Sequence, residues 1–230
     1  MRRIVALNKR IPLAERSFPD YTREEEMFNM VSHIVGAVMA VAILVLCIVK
    51  SALSHNTWGI VAGAIYGFTM ILVFTVSSIY HGLNKNIAKQ VMRIIDHCDI
   101  YFLIAGTYTP ILLSCMRVEY PALSWIIFGI EWGCCILGAC LNAIDLEKYK
   151  KISFACYIVM GWAIILCTKM VINAMTLNGF MWILLGGLAF SIGAVLYLIG
   201  AKKRYYHSVF HVFVNIGCLL QFFGIFWFAL

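Results

Sequence analysis

Apolar and polar residues separate into long blocks along this chain. Seven mostly apolar stretches, at about 29–49, 59–81, 94–113, 121–141, 152–170, 180–200 and 207–229, are divided by short polar links. Each stretch is near the roughly 20 residues that an α-helix needs to cross the hydrocarbon core of a bilayer. The pattern predicts an all-α membrane protein, a bundle of seven transmembrane helices. The fifth stretch is the least regular, because Lys169 interrupts its end. No link is long enough to form a domain of its own. The expected division is a basic cytoplasmic tail over residues 1–27 and a seven-helix transmembrane domain over 28–230. The tail lacks the apolar core of roughly 7–15 residues that a secretory signal requires, so the first apolar helix is expected to serve as the insertion signal.

Composition agrees with the pattern. Of 230 residues, 63% are hydrophobic and only 13% are charged, against roughly 25% charged in a typical soluble domain. A soluble globule cannot hide that much apolar surface, whereas lipid accepts apolar side chains facing outward.

Charge adds an orientation. The net charge is +7, and its placement alternates link by link. The tail carries Arg2, Arg3, Lys9, Arg10, Arg16 and Arg23. The second link carries Lys85, Lys89 and Arg93, the fourth Lys148, Lys150 and Lys151, and the sixth Lys202, Lys203 and Arg204. The other side has only Lys50, Arg117 and Lys169. Basic residues accumulate on the cytoplasmic side of membrane proteins, so the N-terminus is predicted in the cytoplasm and the C-terminus outside. The positive charge is thereby a topology signal, and no role in nucleic-acid binding is expected. The expected location is the cell membrane, as a multi-pass protein.

The nine cysteines fall mostly inside apolar stretches, form no CxxC pair and are odd in number; they read as small buried hydrophobes. Gly59, Gly63 and Gly67, and likewise Gly129 and Gly133, recur every four residues, the spacing that lets helices approach closely in lipid.

The predicted topology gathers polar chemistry at one depth. His33, His81, His97, His207 and His211 all fall at cytoplasmic helix ends, and only His55 lies outside. His207 and His211 are four apart, so both project from one helix face. Two imidazoles at that spacing can chelate a metal, and a third nitrogen ligand with one open position makes a catalytic-type zinc site. His81 is the best third candidate. Asp96, in the first turn of the third stretch, is placed to hold or deprotonate a metal-bound water. The plainer reading of an H-x3-H pair on an apolar helix is coincidence, with the imidazoles facing headgroups. Glu26, Asn29 and His33 share one face of the first helix. Either Glu26 simply suits the positive end of the helix dipole, or the three are groups that orient metal ligands or water. Glu131 lies deep in the fourth stretch, where a carboxyl must face the bundle interior, be protonated or be paired. Pro110 is expected to kink the third helix, with Thr107 and Thr109 hydroxyls satisfying freed carbonyls.

Four motifs in order carry a family resemblance: E-x2-N-x3-H (Glu26, Asn29, His33), S-x3-H (Ser77, His81), the D-H and A-G-T-Y-T-P segment from Asp96 to Pro110, and H-x3-H (His207, His211). Together they resemble the hemolysin III family, the bacterial branch of the progestin and adiponectin receptor family. The resemblance implies a seven-helix bundle with zinc near the cytoplasmic face. It implies His81, His207 and His211 as ligands, Asp96 near the bound water, and Ser77 as a neighbouring hydrogen-bonding or active-site residue. It also implies kinship with alkaline ceramidases, which hydrolyse lipid amides. Asp99 departs from the pattern, since the family more often has a small residue there, and an extra carboxylate could alter substrate fit.

Three functions follow as expectations. The first is a zinc-dependent hydrolase of lipid amides or esters, with a membrane lipid or lipid-derived molecule as substrate. The second, carried by the family name, is a channel-forming cytolysin that permeabilises membranes. The third is a membrane lipid homeostasis factor with a structural metal. The sequence sets no oligomeric state.

Overall fold

The computed structural model describes residues 12–199 and 203–230. The tail charges Arg2, Arg3, Lys9 and Arg10, and Lys202 of the sixth link, lie outside these described residues. Among the described residues the chain is all-helical, with no strand. The helices are α1 (Arg23–Leu53), α2 (Thr57–Gly82), α3 (Ile87–Pro110), the single turn α4 (Arg117–Glu119), α5 (Pro121–Trp162), α6 (Thr168–Ile199) and α7 (Tyr206–Phe228). Five helical runs are long and apolar enough to cross a membrane: Arg23–Leu53, Thr57–Gly82, Ile87–Glu119, Pro121–Ile199 and Tyr206–Phe228.

α1 shows how the pattern becomes structure. Thr22 and Glu25 form a reciprocal cap: the Glu25 amide donates to Thr22 Oγ1 at 3.2 Å and the Thr22 amide to Glu25 Oε2 at 2.9 Å. Two free amides of the first turn are thereby satisfied. From there Asn29, His33, Gly36, Ala40, Ile43 and Cys47 are buried, at alternating spacings of four and three. Val31, Val35, Val38 and Val45 lie on the outer faces and are exposed. A polar and small inward stripe with valines outward suits a helix at the lipid boundary.

The run Pro121–Ile199 has 79 residues, which as one straight helix would extend for about 120 Å, several times the bilayer core. It folds back twice instead. Asp145 leaves helical geometry (φ −159°, ψ 94°), and its carboxylate accepts the Lys148 amide at 3.3 Å, as a capping residue does. Asn142 then meets Ser153 and Tyr157 side chain to side chain at 2.5 and 3.0 Å. On a straight helix, residues fifteen apart would be about 22 Å distant, so the chain reverses there. The second break is Thr176, held at φ 69°, with its hydroxyl accepting the Gly179 amide at 3.4 Å. Beyond it, Ser191 accepts the Trp162 indole N–H at 3.0 Å, a second reversal. The predicted link at 142–151 is therefore helical except at one residue, because Leu146, Glu147 and Lys148 are good helix formers.

Pro110 does not simply kink α3. The helix continues through a widened π-type turn, Ile111–Met116. Thr107 Oγ1 donates to the Leu103 carbonyl at 2.7 Å and Thr109 Oγ1 to the Ala105 carbonyl at 2.8 Å. The carbonyl that the proline frees is that of Gly106, so the hydroxyls serve its neighbours. Among the glycines, a Cβ on Gly67 would lie 2.7 Å from the Leu44 backbone, whereas Cβ atoms on Gly129 and Gly133 would meet nothing within 4 Å. Close helix contact thus explains Gly67 and not the second pair. All nine cysteines carry free thiols.

Candidate metal centre

α2 and α7 bring three imidazoles together. His81 stands in the last turn of α2, and His207 and His211 occupy the first two turns of α7. One ring nitrogen from each lies within 4.8 Å of the other two. His211 Nε2 is 3.0 Å from His207 Nε2, which is 3.4 Å from His81 Nε2. A tetrahedral metal with 2.0–2.1 Å bonds would separate its nitrogen ligands by about 3.3 Å, a value between the two.

The tautomer of His81 is set from behind. Its Nδ1 donates to Glu26 Oε2 at 2.6 Å. An ionised carboxylate only accepts, so the proton sits on Nδ1 and Nε2 keeps its lone pair facing the other two rings. This is the carboxylate–histidine arrangement that orients metal ligands. Lone pairs converging at 3.0–3.4 Å repel unless a proton or cation lies between them. His81 and His211 are buried at 3% and 1% exposure, where water cannot screen that repulsion. The donor set therefore fits a divalent cation that accepts imidazole nitrogen.

Around the rings, aromatic side chains close the site. Tyr21, just before α1, stacks on His207 at 4.8 Å and 13°. Burial pushes its phenol above the ordinary tyrosine range, so the ring stays neutral. Tyr80 packs on His81 at 4.6 Å and Tyr197 on His207 at 5.6 Å. The segment before α1 is tied over α3, with Gln90 Nε2 donating to the Arg16 carbonyl at 2.7 Å and Arg93 to the Ser17 carbonyl at 3.3 Å.

The remaining candidates are placed as follows. Glu26 reaches across from α1 and contacts His81 directly. His33 lies against His211, ring centroids 3.8 Å apart, with neither ring nitrogen hydrogen-bonded among the described residues. Asn29 is fully buried one turn earlier, and its amide atoms likewise find no described partner. Ser77 is buried one turn before His81 on α2. Asp96 is outside the tight three-histidine cluster; its Oδ2 is 3.8 Å from His97 Nδ1. His97 turns away, its Nδ1 toward the Arg93 carbonyl at 2.8 Å. Asp99 and Glu131 are buried at 1% and 2% exposure, and Asp99 has no described partner for either oxygen.

Two contributors escaped the reading of the sequence. Tyr21 carried no motif. Lys89 was counted only as a topology charge, yet its ammonium is 2.9 Å from Glu26 Oε1. Tyr21 is revealed only by its packing on α7, and Lys89 only by the packing of α1, α2 and α3.

The haemolysin-III related family model matches residues 21–222. The chain belongs to that family. Family members similar to it include Hemolysin-3 of Bacillus cereus, 33% identical over 207 residues, covering 90% of this chain and 93% of the relative. The Hemolysin-3 homolog of Bacillus subtilis (strain 168) is 32% identical over 203 residues, covering 88% and 93%. A more distant relative is the monocyte to macrophage differentiation factor of Homo sapiens, 27% identical over 232 aligned residues, covering 95% and 90%. No solved structure matches the chain significantly. Family membership and the apolar helices make this a multi-pass membrane protein.

Proposed function

We propose that this protein is a zinc-dependent membrane hydrolase of lipid amides or esters. The observation that carries the reading is the convergence of three imidazole Nε2 atoms, one of them held in the metal-binding tautomer by the Glu26 carboxylate. In this reading the three folded-back limbs of Pro121–Ile199 each cross the bilayer, so the chain spans it seven times. The charge alternation supports a cytoplasmic N-terminus and an outer C-terminus, which puts the histidines near the cytoplasmic face.

His81, His207 and His211 hold the metal, and Glu26 orients His81. Zinc with three imidazole ligands and one open position supplies, when bound, a Lewis acid that brings the pKa of water toward about 7 and polarises a carbonyl. Asp96 takes the proton of the attacking water and delivers it to the leaving amine or alcohol. Ser77 donates a hydrogen bond to the carbonyl oxygen as negative charge develops. Asn29 and His33 line the polar side of the site, and the apolar helices hold the acyl chains. The products are a fatty acid and an amine or alcohol.

Fatty-acid release from defined lipid amides and esters by purified protein, beside the His207→Ala variant, tests the reading. Release by wild type alone supports it; equal release by the variant or by metal-stripped protein removes it. A second reading rests on the name Hemolysin-3 borne by the Bacillus cereus relative: a cytolysin that opens a conducting path. Metal-independent leakage from pure liposomes would favour it. A third, a lipid homeostasis factor with structural zinc, predicts that Asp96→Asn keeps both metal and physiology.

A further inference from the structure

Lys89 occupies a place that simple topology does not explain. It is the third residue of α3, whose N-cap Asn86 accepts the Lys89 amide at 3.0 Å. A cation in the first turn faces the positive end of the helix dipole. A lysine at a membrane interface ordinarily extends toward water or headgroups. This one is buried at 2% exposure. Its ammonium donates to Glu26 Oε1 at 2.9 Å, to the Leu83 carbonyl at 2.9 Å and to the His81 carbonyl at 3.5 Å, which uses all three of its protons. The Tyr80 ring lies 4.9 Å from the nitrogen. The charge is held against dipole preference and against solvation by contacts that converge on Glu26 and on the backbone of His81.

We infer that Lys89 is a positioning residue of the metal centre, acting through Glu26 on His81. The ammonium takes one carboxylate oxygen at 2.9 Å and fixes the orientation of the Glu26 side chain, which leaves Oε2 to receive the Nδ1 proton of His81. Without it the carboxylate is free to rotate, and Oε2 is no longer held against His81 Nδ1. Its donation to the carbonyls at the end of α2 pins the turn that bears His81. The inference rests on the metal-centre reading above and extends it one residue outward from the ligands.

The test is a zinc affinity measurement by chelator competition on the full chain in detergent or nanodiscs, with the melting temperature of the metal-free protein read in parallel. Lys89→Met keeps the apolar stem and removes the charge. Partners behind metal ligands are worth 10–100-fold in affinity, and one acting through such a partner is expected near the lower bound, about ten-fold. In a Glu26→Gln background the same substitution is expected to change affinity less than about two-fold, because residues acting in series do not add. Lys89→Gln retains a donor for the Leu83 carbonyl and carries the same expectation if Lys89→Met does not fold. Unchanged affinity in a folded Lys89 variant overturns the inference. So does an equal loss in both backgrounds, which would mark Lys89 as merely structural. Absence of zinc binding in wild type would instead overturn the metal-centre reading, so the two failures are distinguishable.

Discussion

Glu25 and Glu26 are adjacent and chemically identical, but the structure gives them different tasks, and replacing each by glutamine separates those tasks. Glu26 bridges His81 Nδ1 at 2.6 Å and Lys89 Nζ at 2.9 Å. Glu26→Gln removes the charge from both contacts. Loss of the carboxylate behind His81 is expected to weaken zinc binding 10–100-fold, about 1.4–2.7 kcal/mol at 1.36 kcal/mol per decade. Lys89 is left buried and uncompensated. Breaking a buried pair costs about 3–5 kcal/mol, and 16% exposure of the Glu26 side chain places the cost near the lower value. At about 2–4 °C per kcal/mol for a chain of this size, the metal-free protein is expected to melt about 6–12 °C lower. Glu25 instead accepts the Thr22 and Tyr205 amides, at 2.9 and 2.5 Å. Glu25→Gln loses cap strength of about 1 kcal/mol and leaves zinc affinity unchanged. The assay is zinc competition against a fluorescent chelator, with melting followed in the same samples. Equal zinc affinity in the Glu26→Gln variant and wild type, or a larger affinity loss from Glu25→Gln, would refute the reasoning.

Two further outcomes test the fold. Asn142 is fully buried and bonds the His97 carbonyl, Tyr157 and Ser153 across the Asp145 reversal; at about 0.6–1 kcal/mol per bond, Asn142→Leu should cost about 2–3 kcal/mol, read as a melting shift of about 4–12 °C, with no change in metal content. Gly67→Ala should destabilise by about 1–3 kcal/mol because its Cβ meets the Leu44 backbone. Gly129→Ala should stabilise by a few tenths to about 1 kcal/mol, since open space surrounds it and alanine is the better helix former; comparable losses at both glycines would contradict the packing described for α1 and α2.

Helical segments were legible because, of the two structures that satisfy the backbone in lipid, only the α-helix calls for continuous apolar runs of about 20 residues, whereas a closed β-barrel calls for short alternating ones. Link conformation was harder to read. Asp145 and Thr176 interrupt helices with no loop around them, so hydropathy shows a dip where the chain actually turns on one residue. At the site, spacing alone placed His207 and His211 on one face, and the shared depth brought His81 into consideration. What spacing could not convey was which nitrogen of His81 remains free, since that depends on a carboxylate from another helix. The face shared by Glu26, Asn29 and His33 was visible, but not the reach of Glu26 to α2. Lys89 looked like one more cytoplasmic charge because burial of a lysine is decided by partners distant in sequence, here Glu26 and the end of α2. The T-x-x-E cap at Thr22 and Glu25 was readable in principle, and it fixes where α1 begins.

The central claim is a metal held by His81, His207 and His211. Elemental analysis of the purified protein beside His81→Ala tests it most directly. The account predicts about one zinc per wild-type chain, by the stoichiometry of a three-histidine site, and nearly none in a folded His81→Ala variant. Wild-type protein that is folded and active without metal, or a His81→Ala variant that retains a full equivalent of zinc, would contradict it.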